Sequence, residues 1–128
     1  LTEGPRDRMP YKISKISDYD DRKGWVCGQF FDEGSIEHSE DVEVKHFTLK
    51  PGDSCGEHFH PRSSKEIVIV LEGEMEWLIS GKKHLLKSGD ILYLEGKVPE
   101  AVLDVRKPTR AIAVRTPSVP DNKVEVTK

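Results

Sequence analysis

The chain is predicted to be all-β, and three observations carry that prediction. Short apolar segments recur along most of its length, glycine- and proline-bearing turn signals separate them, and helix signals are scarce. A jelly-roll barrel accommodates this many short strands while removing most exposed sheet edges.

Taken in order, residues 1–10 hold Gly4, Pro5 and Pro10 among alternating charges and are expected to be a flexible arm. Residues 11–128 are expected to form a single domain. Residues 24–31 and 41–49 read as strands, the second placing Val42, Val44 and His46 on one face. Pro51, Gly52 and Asp53 supply a turn. Residues 65–71 are continuously apolar after Glu66, the pattern of a strand covered on both sides. Met75, Trp77 and Ile79 then alternate with Glu74 and Glu76, so one face is expected to be buried and the other wet.

Ser80-Gly81 and Ser88-Gly89-Asp90 read as hairpin connections around a strand at 82–86. Further strands are expected at 91–94, 101–105 and 110–114, with Pro99 and Pro108 at strand boundaries because proline cannot donate to a ladder. Past Thr116 the tail carries Pro117 and Pro120 before the alternating Val124-Glu125-Val126, a candidate edge strand.

Composition narrows the function classes. At 128 residues one domain suffices, and the chain is long enough to bury a core. Twenty basic residues are interspersed with 23 acidic ones for a net charge of −3, which argues against nucleic acid as a partner. No stretch approaches the roughly 18 apolar residues of a membrane span. The first residues lack an apolar signal region, so a cytoplasmic location is expected. Cys27 and Cys55 are too few for a disulfide framework, and reduced thiols are expected.

The chemistry concentrates in His58-Phe59-His60. In an extended segment side chains alternate, so both imidazoles point one way and Phe59 the other. Glu66 opens the next apolar run, where a hairpin return brings its carboxylate toward them. Mixed nitrogen and oxygen donors suit a borderline or hard divalent ion such as iron, manganese, nickel or zinc.

The spacing of these residues resembles the first motif of the cupin superfamily: Gly, five residues, His-x-His, three or four residues, Glu, six residues, Gly. Gly52, His58, His60, Glu66 and Gly73 follow it, with one departure, five residues between His60 and Glu66. The second motif is matched in part. Gly89 fits, but Glu95, Lys97, Glu100 and Asp104 stand where the family has Pro, Gly, His and Asn. The resemblance spans residues 42–116 and implies a cupin-type double-stranded β-helix.

It further implies a metal site of His58, His60, Glu66 and Glu100, the last in place of the family's third histidine. Two carboxylates would lower the Lewis acidity of the ion and favour oxygen-loving metals. A general base beside the metal, or a solvated strand residue, are the other roles open to Glu100. Cavity walls in such a barrel come from inward-facing strand residues, for which His46, Met75, Trp77, Tyr93 and Arg110 are the candidates. Two function classes follow: a small metalloenzyme acting on a small organic acid or sugar-type substrate, or a non-catalytic module that binds or senses a small molecule. The resemblance also implies a homodimer, with terminal strands exchanged between subunits.

Overall fold

The computed structural model describes residues 9–60, 64–120 and 124–125. Among these residues eight strands follow a short 3-10 helix, Ile16–Arg22: β1 Trp25–Cys27, β2 Glu43–Leu49, β3 Cys55–Phe59, β4 Lys65–Ile79, β5 Lys82–Lys87, β6 Ile91–Glu95, β7 Glu100–Thr116 and β8 Val124–Glu125. The expected arm at 1–10 lies outside the described residues except for Met9 and Pro10, which are exposed.

Two long strands organise the molecule. β4 and β7 pair antiparallel along nearly their whole length, from Lys65↔Thr116 to Ile79↔Glu100, and the register shifts repeatedly between Val70 and Trp77. The shifts are bulges, which bend both strands and let each serve two sheets. The first half of β4 and the second half of β7 pair outward with β6 and β2, and β2 pairs with β1. The other halves pair outward with β5 and β3, and β3 pairs with β8. The fold is therefore an antiparallel double-stranded β-helix.

Gly73 marks the bend. Its φ of 101° is a region that glycine favours, and a Cβ there would lie 2.2 Å from Thr109 Oγ1 and 2.5 Å from the Pro108 carbonyl oxygen. Pro108 was expected at a strand boundary but lies within β7. It takes no ladder partner on β2 or β4, so its missing N–H breaks no hydrogen bond. The expected strands at 101–105 and 110–114 are thus one bent strand.

Other departures are local. The expected strand at 24–31 shortens to three residues, followed by an isolated parallel bridge from Gly28 to His38. The 3-10 turn was not foreseen. Its entry is held by the Lys15 N–H donating to the Asp18 carboxylate at 3.0 Å. It ends where Lys23 adopts φ 58° and the Gly24 N–H donates to the Tyr19 carbonyl.

The core lies between the two sheets and is built from Val68, Val70, Met75, Trp77, Leu94, Val102, Val105, Ala111 and Ala113. Met75 and Trp77 are buried as the alternation predicts. On the other side of that strand Glu74 and Glu76 meet Lys107 and Arg106 at 3.7 and 3.3 Å. The strand at 65–71 was expected to be covered on both faces, but Glu66, Val68 and Val70 are buried while Ile67 and Ile69 remain half-exposed.

Candidate metal centre

β3 and the start of β7 face each other with His58 opposite Glu100. His58 and His60, two residues apart on an extended segment, project to the same side, with ring centroids 5.3 Å apart at 85°. Phe59 pairs with Val124 through its backbone. The Lys97 N–H donates to the His60 carbonyl at 2.8 Å and the Gly96 N–H to the Ser64 carbonyl at 2.9 Å.

Glu100 is the hub. Its Oε1 lies 3.7 Å from His58 Nε2 and its Oε2 lies 3.6 Å from His60 Nε2. One donor atom from each of His58, His60 and Glu100 falls within 4.8 Å of the others, and all three side chains are buried. His58 Nδ1 sits 3.0 Å from the Gly56 carbonyl oxygen. A donated Nδ1–H there leaves Nε2 with its lone pair toward Glu100, the orientation in which histidines ligate metals.

Glu66 enters from the other sheet. Its Oε1 lies 3.3 Å from His60 Nε2, an ion-pair approach without hydrogen-bond alignment, while its Oε2 accepts from Arg115 Nε at 3.0 Å. Arg115 also reaches Glu43 at 3.5 Å, so a Glu43–Arg115–Glu66 row crosses β2, β7 and β4 on the inner face. Burial pushes the Glu66 carboxyl up, but the contact with His60, the Arg115 charge and the Glu100 side chain outweigh it and bring the pKa down to about 2. Glu66 is therefore anionic at any physiological pH.

The donor set fits a divalent cation. Two buried carboxylates and two imidazoles converge, and Glu66 Oε1 is buried without a hydrogen bond among the described residues, a costly arrangement that a coordinated ion would relieve. Glu66 stands beside the three-residue group and reaches it through His60.

A cavity of about 750 Å3 opens onto this group, within the usual size for a small-molecule site. Glu66, His58 and Glu100 line it together with Trp77, Val68, Val102, Ala113, Lys45 and Arg115. Trp77 lines the cavity, and its Nε1 is buried without a hydrogen-bond partner among the described residues. Met75 is fully buried in the core and does not line the cavity.

Of the remaining wall candidates, His46 also lines the cavity, whereas Arg110 and Tyr93 do not. His46 stands at the rim near Gly24; burial and the Arg110 charge, 3.4 Å from its Nε2, depress its pKa against the opposing pull of Asp20. Arg110 faces outward, half-exposed, and its Nε donates to Glu72 at 2.6 Å. Tyr93 is 67% exposed on the outer side of β6, away from the cavity.

Three residues that line the cavity were not assigned to it from the sequence. Lys45 pairs with Ala113, which pairs with Val68, so Lys45 shares the inner face, and its ammonium lies 5.1 Å from the Trp25 ring centroid. Arg115 lies on that face two residues beyond Ala113. Cys55 is half-buried, with Sγ 3.8 Å from His58 Nδ1.

Comparison with known proteins agrees with this fold. Solved structures with the same fold include an uncharacterized protein with a double-stranded β-helix domain from Klebsiella pneumoniae (20% identity, TM-score 0.66, 92% of this chain and 99% of that one). The DMSP lyase DddQ from Ruegeria pomeroyi matches at 24% identity and TM-score 0.65, covering 93% of this chain and 59% of that one. The nucleoside dehydratase Pac13 from Streptomyces matches at 11% identity and TM-score 0.60, over 69% of this chain and 70% of that one. No curated protein sequence matches the chain. No helix among the described residues is long and apolar enough to cross a membrane. The cupin domain family model matches residues 45–114, more than half of the sequence, and with the double-stranded β-helix it establishes that the chain belongs to the cupin family.

Proposed function

We propose that the protein is a small metal-dependent cupin, holding a divalent ion with His58, His60 and Glu100, assisted by Glu66, and acting on a small organic acid or sugar-type molecule in the adjoining cavity. The observation that carries this reading is the convergence of two buried imidazoles and the Glu100 carboxylate at the wall of that cavity. A bound divalent ion would supply Lewis-acid polarisation of a substrate oxygen.

The chain's own residues would do the rest. Arg115 fixes Glu66 in orientation and charge, and Glu66 in turn faces His60. Val68, Val102 and Ala113 give the cavity apolar walls that limit water. Lys45 places an ammonium on the same inner face, two ladder positions from the Glu43–Arg115–Glu66 row, which suits a substrate carboxylate. Enzymatic cupins with the same fold, a DMSP lyase and a nucleoside dehydratase, are consistent with catalysis, although their low identity ties them to this chain only through the fold.

One observation favours the binding or sensing role instead. Glu66 is held far below the range in which it would exchange a proton near neutrality, so it does not serve as a general acid or base there. Titration of the metal-loaded protein with small dicarboxylates and 2-oxo acids tests the proposal. Saturable binding that disappears on chelation and in His58→Ala/His60→Ala supports it. Binding that survives both treatments would assign the cavity a metal-independent role.

A further inference from the structure

We propose that Glu33, His38 and Glu40, in the connection between β1 and β2, form a second divalent-cation site, taken by a zinc-class ion and separate from the buried His58 group.

Turns in the backbone bring the three side chains together. The Phe31 N–H donates to the Gly28 carbonyl at 3.3 Å, the Ser35 N–H to the Asp32 carbonyl at 3.0 Å and the His38 N–H to the Ser35 carbonyl at 3.2 Å, so the connection folds back on itself. Its returning limb is tied to the body of the protein. Gly28 bridges His38, the Ser39 N–H donates to the Gly28 carbonyl at 3.2 Å, and the Glu40 carbonyl accepts from the Ser118 N–H at 3.0 Å. One donor atom from each of Glu33, His38 and Glu40 then lies within 4.8 Å of the other two. None of these three residues lines the cavity beside His58.

The local charge calls for a cation. Residues 24–44 include six acidic residues and neither lysine nor arginine. Lys12 meets Glu37, and Arg115 meets Glu43. The Glu33 and Glu40 carboxylates have no ion pair or hydrogen bond among the described residues, yet the fold holds them close together. Like charges gathered without a counter-charge repel, and a bound cation turns that repulsion into attraction. Exposed Asp32 and Asp41 beside them in sequence add to the negative potential.

His38 sets the kind of ion. Its Nδ1 lies 2.9 Å from the Phe31 carbonyl oxygen, which can only accept, so Nδ1 carries the proton and Nε2 of the neutral ring keeps its lone pair. A carbonyl on the far nitrogen is how metal-ligating histidines are oriented. One imidazole with two carboxylates suits zinc better than magnesium or calcium, which take all-oxygen sets. Donors about 2.1 Å from one zinc ion stand roughly 3.4 Å apart, so small rotations of the exposed carboxylates close the set and water completes it. The ion joins Glu33 on the outgoing limb to His38 and Glu40 on the returning one, and so pins the connection. With only three protein donors at the surface it leaves on dialysis and returns with added zinc.

The test is calorimetric titration of metal-free His58→Ala/His60→Ala protein with zinc, which removes the two imidazoles of the buried group. A single equivalent bound, and retained in excess magnesium, is the expected result. Glu33→Gln/Glu40→Gln in the same background changes exposed side chains, so its thermal melt is expected to stay unchanged. Its zinc affinity is expected to fall by roughly tenfold or more, the scale on which even the outer partners of a metal site act. His38→Ala is expected to weaken zinc to the same degree. No zinc uptake by the His58→Ala/His60→Ala protein overturns the proposal, whatever the buried group binds in wild type. Uptake unmoved by Glu33→Gln/Glu40→Gln also overturns it, because the ion would then sit on other residues.

Discussion

His58 and Glu100 are ladder partners across β3 and β7, and their side chains meet at the cavity wall with Nε2 3.7 Å from Oε1. The backbone register of two strands thus fixes the distance between an imidazole and a carboxylate of the proposed metal site.

Because Glu100 stands close to both imidazoles, its removal is expected to weaken metal binding more than any other single change at a carboxylate. Glu100→Ala should lower bound metal by tenfold or more at limiting concentration. Glu100→His, which restores the usual imidazole, should retain it. Metal titration followed by fluorescence or calorimetry checks both, and loss of metal in Glu100→His would show that the carboxylate itself is required.

Arg115 holds two buried carboxylates, Glu43 and Glu66, on one inner row. Arg115→Met is expected to destabilise the fold by about 3 kcal/mol, the usual cost of removing one partner of a buried ion pair. Arg110→Met, whose ion pair with Glu72 lies at the surface, should cost less than about 1 kcal/mol. Urea midpoints of the two variants should separate clearly, and equal midpoints would contradict the assignment of Arg115 as the structural cation.

Acid should unfold the chelator-treated protein partly through Glu66. Its folded pKa of about 2 lies below the unfolded carboxylate value, so its contribution is complete above about pH 4.5 and is lost as pH falls toward 2. The expected loss is on the order of 3 kcal/mol, read as a steeper decline of urea stability between pH 5 and 2 in wild type than in Glu66→Gln. Parallel declines would mean that Glu66 is not held by His60 and Arg115.

Gly73→Ala is expected to be severe, because the new methyl meets Thr109 and the Pro108 carbonyl at a positive φ. A cost of about 3 kcal/mol or more is predicted. Gly52→Ala, with a similar φ but open space around the added carbon, should cost about 1 kcal/mol. Thermal melts of the two variants should differ accordingly.

Much of the fold was legible because turn chemistry and strand patterning agreed along the chain. Gly52, Gly73 and Gly89 all adopt positive φ, and the spacing of His58, His60 and Glu66 between the first two is what brings these side chains together. Glu100 was legible only through its place in the second motif, since nothing in a lone glutamate marks it as buried.

The inner face of β2 was misread. Val42, Val44 and His46 looked like the core side, yet the inward residues are Glu43, Lys45 and Phe47, with Glu43 almost fully buried. Two demands inverted the usual pattern. The cavity needs charge inside the barrel, and the outer face of the same sheet is apolar, so hydrophobicity pointed the wrong way. The same inversion drew attention to Tyr93 and Arg110 on the outer side instead of Lys45 and Arg115 within. The single bent strands β4 and β7 were read as separate pieces because Gly73 and Pro108 ordinarily punctuate strands, and here they mark bulges.

Elemental analysis of protein purified without a metal-affinity tag, run beside His58→Ala/His60→Ala, tests the metal centre most directly. Near one equivalent of iron, manganese, nickel or zinc in the wild type, and little in a double variant that keeps its β-sheet circular dichroism, is the predicted result. Equal metal content in the two proteins, or a wild type that stays metal-free after incubation with each ion, would contradict it.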